Sequence, residues 1–158
     1  MARVDITTYE ALLFGHLTFV AAWVGGDIML QVLNLRIQGA APERQIDFMS
    51  DIEWLGTRLL TPAALIVVAF GVLMVIDQDA WKFSQFWVSA ALAVFVASFI
   101  TGAGFLGPES GRIGELARER GAEDPEIHRR IGRVIWISRI ELLLLILVIL
   151  DMVVKPGL

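Results

Sequence analysis

The sequence predicts an all-α, polytopic membrane protein with four transmembrane helices in an antiparallel bundle and both termini on the same, outer side. Three observations lead there. Of 158 residues, 56% are hydrophobic and only 19% are charged, against about 45–50% and about 25% in an ordinary soluble domain. The mean hydropathy is +0.68. Four apolar runs are each long enough to cross a hydrocarbon core about 30 Å thick. These runs lack period-two alternation, so helices are expected rather than barrel strands, and a helix satisfies its own backbone in lipid.

The first span covers about residues 9–35 and contains His16, Asp27, Gln31 and Asn34. Arg3, Asp5 and Glu10 precede it and no small-residue cleavage site follows, so a retained helix is expected rather than a removed leader. The second span, about 56–76, opens at Arg58 and has Pro62 in its first turns, where a kink is expected. The third, about 83–106, carries no charge. The fourth, about 133–154, embeds Arg139, Glu141 and Asp151. Asp124-Pro125-Glu126 supplies an N-cap, a first-position proline and a first-turn acid. A helix starting at about 125 would therefore extend the fourth span out of the membrane, about 45 Å in all at 1.5 Å per residue. Both longer connections also read as partly helical. Pro42 can open a helix with Ile46, Met49 and Ile52 on one side, and Gly111 and Gly121 flank an amphipathic patch. Residues 1–158 form one domain on this reading.

Basic residues orient the bundle. Arg36, Arg44, Arg112, Arg118, Arg120, Arg129, Arg130 and Arg133 lie in the two longer connections, against Arg3, Lys82 and Lys155 on the other side. The positive-inside bias puts those connections in the cytoplasm of a cell with this chain in its inner (plasma) membrane. A net charge of −4 argues against a nucleic-acid partner. With no cysteine, disulfides, thiolate metal centres and iron–sulfur clusters are excluded. Phosphate loops, zinc-spaced histidines and serine elbows are missing too, and no metal site is expected.

Polar residues at membrane depth are costly and therefore informative. Trp23, Asp27 and Asn34 follow His16 by 7, 11 and 18 residues, offsets within about 20° of whole helical turns. The four residues should share one stripe, turned to the bundle interior. Gly25 and Gly26 beside Trp23 would let a neighbouring helix or a flat ligand come close. Topology puts Asp27, Arg58, Arg139 and Glu141 at similar depth, which suggests a buried four-charge network of zero net charge. That network would either fix helix register or bind an anion or relay protons. His16 would either bond across helices or serve as an axial ligand or proton carrier. Met74 and Met152 lie towards the same outer half and could complete a haem site. Trp54, Trp81 and Trp87 fall near helix ends, as an aromatic belt requires.

His16, Trp23 and Gly26, then Arg58-Leu59, Pro62-Ala63 and Gly71, then Arg139, Glu141, Leu143–Leu145, Lys155 and Pro156 carry a resemblance. In this order they resemble a loose superfamily of bacterial membrane proteins: HemJ-type protoporphyrinogen oxidases, CopD-like copper-resistance domains, and an uncharacterised branch of small predicted integral membrane proteins. The chain is most similar to the last. The resemblance implies a four-helix membrane fold, with His16 ligating haem b or sitting beside a porphyrin, and Trp23 and Glu141 nearby. It also implies a second intramembrane histidine followed by a lysine, where this chain has Val88-Ser89-Ala90-Ala91. Three activities are therefore expected as alternatives: a haem- or porphyrin-associated redox protein using His16, a non-enzymatic accessory subunit, or a small proton-coupled or metal transporter. Besides the bilayer, the expected partners are a second copy of the chain or a larger membrane complex.

Overall fold

A computed structural model describes residues 5–157, all of whose regular structure is helical. Helix α1 (Thr8–Ile37) opens on a capping box. The Thr7 hydroxyl accepts from the Glu10 backbone N–H, and the Glu10 carboxylate accepts from that of Thr7 at 2.8 Å, so two orphan donors satisfy each other's residues. Helices α2 (Pro42–Leu55) and α3 (Thr61–Asp77) are joined by a π turn, Gly56–Leu60. Helices α4 (Phe86–Thr101) and α5 (Gly107–Arg120) are joined by another, Gly102–Leu106. Helix α6 (Pro125–Val154) starts where Asp124 accepts from the Glu126 backbone N–H, as the cap signal predicts. Arg3 lies outside the described residues.

The span expected at 56–76 is thus part of a longer helix, Pro42–Asp77, while the one expected at 83–106 starts three residues later, at Phe86, and runs on to Arg120. Hydropathy marks where a helix leaves an apolar medium, whereas the helix itself continues as long as its next face finds cover. Pro62 and Pro108 each stand six residues after a glycine, Gly56 and Gly102. In both places the residue before proline, Thr61 or Gly107, bonds to the carbonyl five residues back. Proline donates no N–H, and its ring crowds the carbonyl four residues back. A widened turn relieves that crowding without ending the helix.

Helix α1 lies along α3 and α4 along α6, while α1–α6 and α3–α4 contacts close a four-helix ring. At one end α2, α5 and the start of α6 form a cap around Phe48, Met49, Ile113, Ile127, Ile131 and Val134. Gly111 brings α5 close to α2, with the end of the exposed Glu53 side chain lying over it, 2.8 Å from where a Cβ would stand. Glu109, 4% exposed, is paired with Arg130 at 2.7 Å, and Arg130 also bonds Glu126 at 2.9 Å.

Three helices, Thr8–Ile37, Pro42–Asp77 and Phe86–Arg120, are long and apolar enough to cross a membrane. In α6 the apolar stretch is interrupted by Arg139, Glu141 and Asp151. The ring's outward faces carry exposed Phe14, Leu65, Ile76, Ile100, Ile146 and Leu150, a large apolar surface that water would penalise.

Candidate functional site

Two chambers follow one another along the ring, with Trp23 lining both. The first is a cavity of about 260 Å³ between α1, α3, α4 and α6, walled almost entirely by aliphatic and aromatic side chains. Its one imidazole is His16, 7% exposed. The spacing that put His16 on the inner stripe explains its direction. What holds the ring is α3: His16 Nδ1 lies 2.9 Å from the Val67 carbonyl oxygen. A carbonyl only accepts, so Nδ1 carries the proton and Nε2 keeps its lone pair. Nε2 has no partner among the described residues. Gly71 stands directly beside the imidazole, since a Cβ there would lie 3.3 Å from Cε1.

The end of this chamber away from Trp23 is closed by aromatics and one cation. Tyr9 and Trp81 meet edge to face at 5.3 Å, as do Trp81 and Trp87 at 5.4 Å. The Lys155 ammonium sits 4.7 Å from the Trp81 ring centre and 5.5 Å from that of Trp87, in cation–π range. Lys155 ends α6 in the left-handed conformation, φ 48°, which turns the chain across the end of the ring. At the other end, Trp23 meets Phe95 across the ring at 6.1 Å, and Phe95 meets Phe99 at 6.0 Å. This aromatic layer separates the two chambers.

The second chamber, about 100 Å³, has mostly apolar walls into which a cluster of polar side chains projects. Asp27, Gln31 and Asn34 reach it from α1, Ser98 from α4, and Ser138 and Glu141 from α6. Both π turns line it, and a Cβ on Gly102 would lie 3.5 Å from a Glu141 carboxylate oxygen. Gln31 Nε2 donates to Ser138 Oγ at 2.9 Å, and Ser138 donates on to the Ile135 carbonyl.

His16, Trp23, Asp27 and Asn34 all face inward, as their spacing predicts, but they serve different chambers. The four-charge network does not form. Asp27 and Glu141 meet in the polar chamber, whereas Arg58 and Arg139 are exposed and pair with neither. No ion pair joins these four among the described residues. The reason is azimuthal: Arg139 and Glu141 are two residues apart, roughly 200° around a helix, and cannot share a face. Gly26 is also corrected. It lines neither chamber, and a Cβ there would meet Leu60 at 2.7 Å, so this glycine seats α1 against a neighbouring helix. Gly25 faces open space. His128 is exposed on α6, with Nδ1 near the Asp124 carbonyl.

Ser98, Ser138, Val67 and Gly71 were not legible as site residues. The π turns left a signal that the kink expected at Pro62 missed: the spacing Gly-x5-Pro occurs twice, at Gly56…Pro62 and Gly102…Pro108.

The donors of the apolar chamber fit a single-histidine haem better than a paired one. Met74 and Met152 line the same cavity as His16, while α4 offers it Val88, Ala91, Leu92 and Phe95 but no histidine. A histidine held by a carbonyl through its other nitrogen is the usual orientation for a metal-binding imidazole. The volume lies just under the ~300–1,000 Å³ common for small-molecule sites. The lining, however, includes exposed Leu17, Phe83 and Val153, so the chamber reaches the ring's surface and a larger ring can project between helices.

No protein-family model, no curated protein and no solved structure matches this chain.

Proposed function

We propose that the chain is a four-span inner-membrane protein that holds a flat apolar ring of the porphyrin class, haem b above all, on His16. The observation that carries this reading is the locked imidazole: Nδ1 committed to Val67, Nε2 free, in an otherwise apolar chamber shared by four helices. In that chamber Trp23, Phe95 and Trp87 offer ring faces and edges for stacking. Met74 and Met152 offer a thioether for a second axial position. Lys155, at the outer end, offers a cation for an acidic substituent. Bound haem would supply one-electron chemistry. The protein's own part is to fix the imidazole's tautomer, exclude water with apolar walls, and admit the ligand sideways from the bilayer. Helix α6 is the fourth span, its inward Glu141 and Ser138 shielded by the ring. The arginine-rich end formed by α2, α5 and the start of α6 faces the cytoplasm, following the positive-inside bias.

The test is an absorption spectrum of gently solubilised protein, as isolated and during titration with haem b. A Soret band is expected that disappears in His16→Ala and persists in His128→Ala. A colourless preparation that stays unchanged on adding haem, with helical content intact, overturns the reading and favours an accessory subunit.

A further inference from the structure

The polar chamber plays no part in holding a ligand on His16. We propose that it is a binding site for a hard, oxygen-coordinated cation of the alkaline-earth class, held with its waters between Asp27 and Glu141.

Charge comes first. The two carboxylates line one small space. No cation answers them, because Arg58 and Arg139 face outward and His16 lies beyond the Trp23–Phe95 layer. One divalent ion would balance both acids.

The second observation is independent of charge. Ser98, only 2% exposed, lines the chamber with its Oγ unpartnered, and Asn34, 5% exposed, lines it with Nδ2 unpartnered. Buried polar atoms are almost always bonded, so these two point to an occupant. A half-turn of the Asn34 amide presents its oxygen instead. Gln31 has already committed its Nε2 to Ser138, which leaves its carbonyl oxygen as a free acceptor.

The polar side chains that reach the chamber, two carboxylates with hydroxyl and amide oxygens, suit Mg²⁺ or Ca²⁺ rather than a soft metal. Mg²⁺ in particular is commonly bound through one or two carboxylates while keeping several waters. A volume of about 100 Å³ holds an ion and a few waters at about 30 Å³ each, and excludes an organic ligand.

The test is titration calorimetry on the protein in lipid nanodiscs, using Mg²⁺, Ca²⁺, Na⁺ and choline as chlorides, with intrinsic tryptophan fluorescence as a second readout. Saturable binding of Mg²⁺ or Ca²⁺ is expected, with choline silent. Asp27→Asn and Glu141→Gln should each weaken it by about tenfold or more, equivalent to about 1.4 kcal/mol or more. Ser98→Ala, which removes one hydroxyl and leaves both acids, should weaken it less and guards against loss of fold in the other two. Heat from Na⁺ alone overturns the divalent assignment. No difference between any metal chloride and choline, or binding indifferent to all three substitutions, overturns the site.

Discussion

The imidazole of His16 and the backbone carbonyl of Val67 are joined at 2.9 Å across the seam between α1 and α3, with Gly71 one turn further along α3. This bond sets which nitrogen is available to the chamber. It also makes Gly71, which lines the same chamber, a sensitive position. In Gly71→Ala the new Cβ would sit 3.3 Å from Cε1 and 3.6 Å from Nδ1, so the ring must shift by a few tenths of an ångström. The expected cost in stability is about 1–3 kcal/mol for overpacking, together with weaker haem uptake. Melting and a Soret titration on the same preparation check both. Unchanged haem affinity would show that the imidazole's placement is irrelevant.

Two glycines in α1 should respond in opposite ways. Gly25→Ala meets nothing within 4 Å, so it should gain up to about 1 kcal/mol from helix propensity alone. Gly15→Ala would put its Cβ 2.7–2.9 Å from the Phe70 ring, which is itself stacked on Phe19. It should lose about 1–3 kcal/mol by overpacking. Thermal melts of the two variants in one detergent would decide, and equal effects would contradict this packing of α1 on α3.

At the capped end, Arg130 connects buried Glu109 to Glu126. Arg130→Met leaves Glu109 buried with only Arg112, 4.0 Å away, to face, and should lower stability, because a buried carboxylate loses its closest cation. Glu109→Gln should cost less, because an amide tolerates burial better than an unpaired carboxylate. Glu126 adds a pH dependence. Its partial burial draws the carboxyl upwards, but the Arg130 hydrogen bond and the Arg129 charge outweigh this and hold it below 4.5. A folded value below the unfolded one means that the stability is present above about pH 4.5 and is lost as pH falls through the folded value. Glu126→Gln should lower stability in the neutral region and flatten the acid limb, so that variant and parent converge at low pH. An identical acid limb in variant and parent would refute the pairing.

Much of this molecule can be read along the chain. The offsets from His16 to Trp23, Asp27 and Asn34 lie near whole helical turns, and all four do face inward. The cap at Asp124-Pro125-Glu126 starts α6 where it should. The charge network was misread because equal depth was taken for contact, although the two-residue step from Arg139 to Glu141 already forbids a shared face. Pro62 suggested a kink, whereas the paired Gly-x5-Pro spacings mark two π turns. Gly26 looked like a ligand approach because a missing Cβ says nothing about which neighbour fills the space; Leu60 does.

The residues by themselves determine the helices, their caps, their apolar outer faces and the inward stripe of α1, because each of these is a property of one segment and its period. Which helix supplies the carbonyl for His16, that Trp23 and Phe95 divide the interior, and that Asp27 faces Glu141 were decided only by tertiary structure. Those facts depend on how one helix is rotated and shifted against another. That rotation is the outcome of many weak contacts, summed over four helices, and no local pattern encodes it.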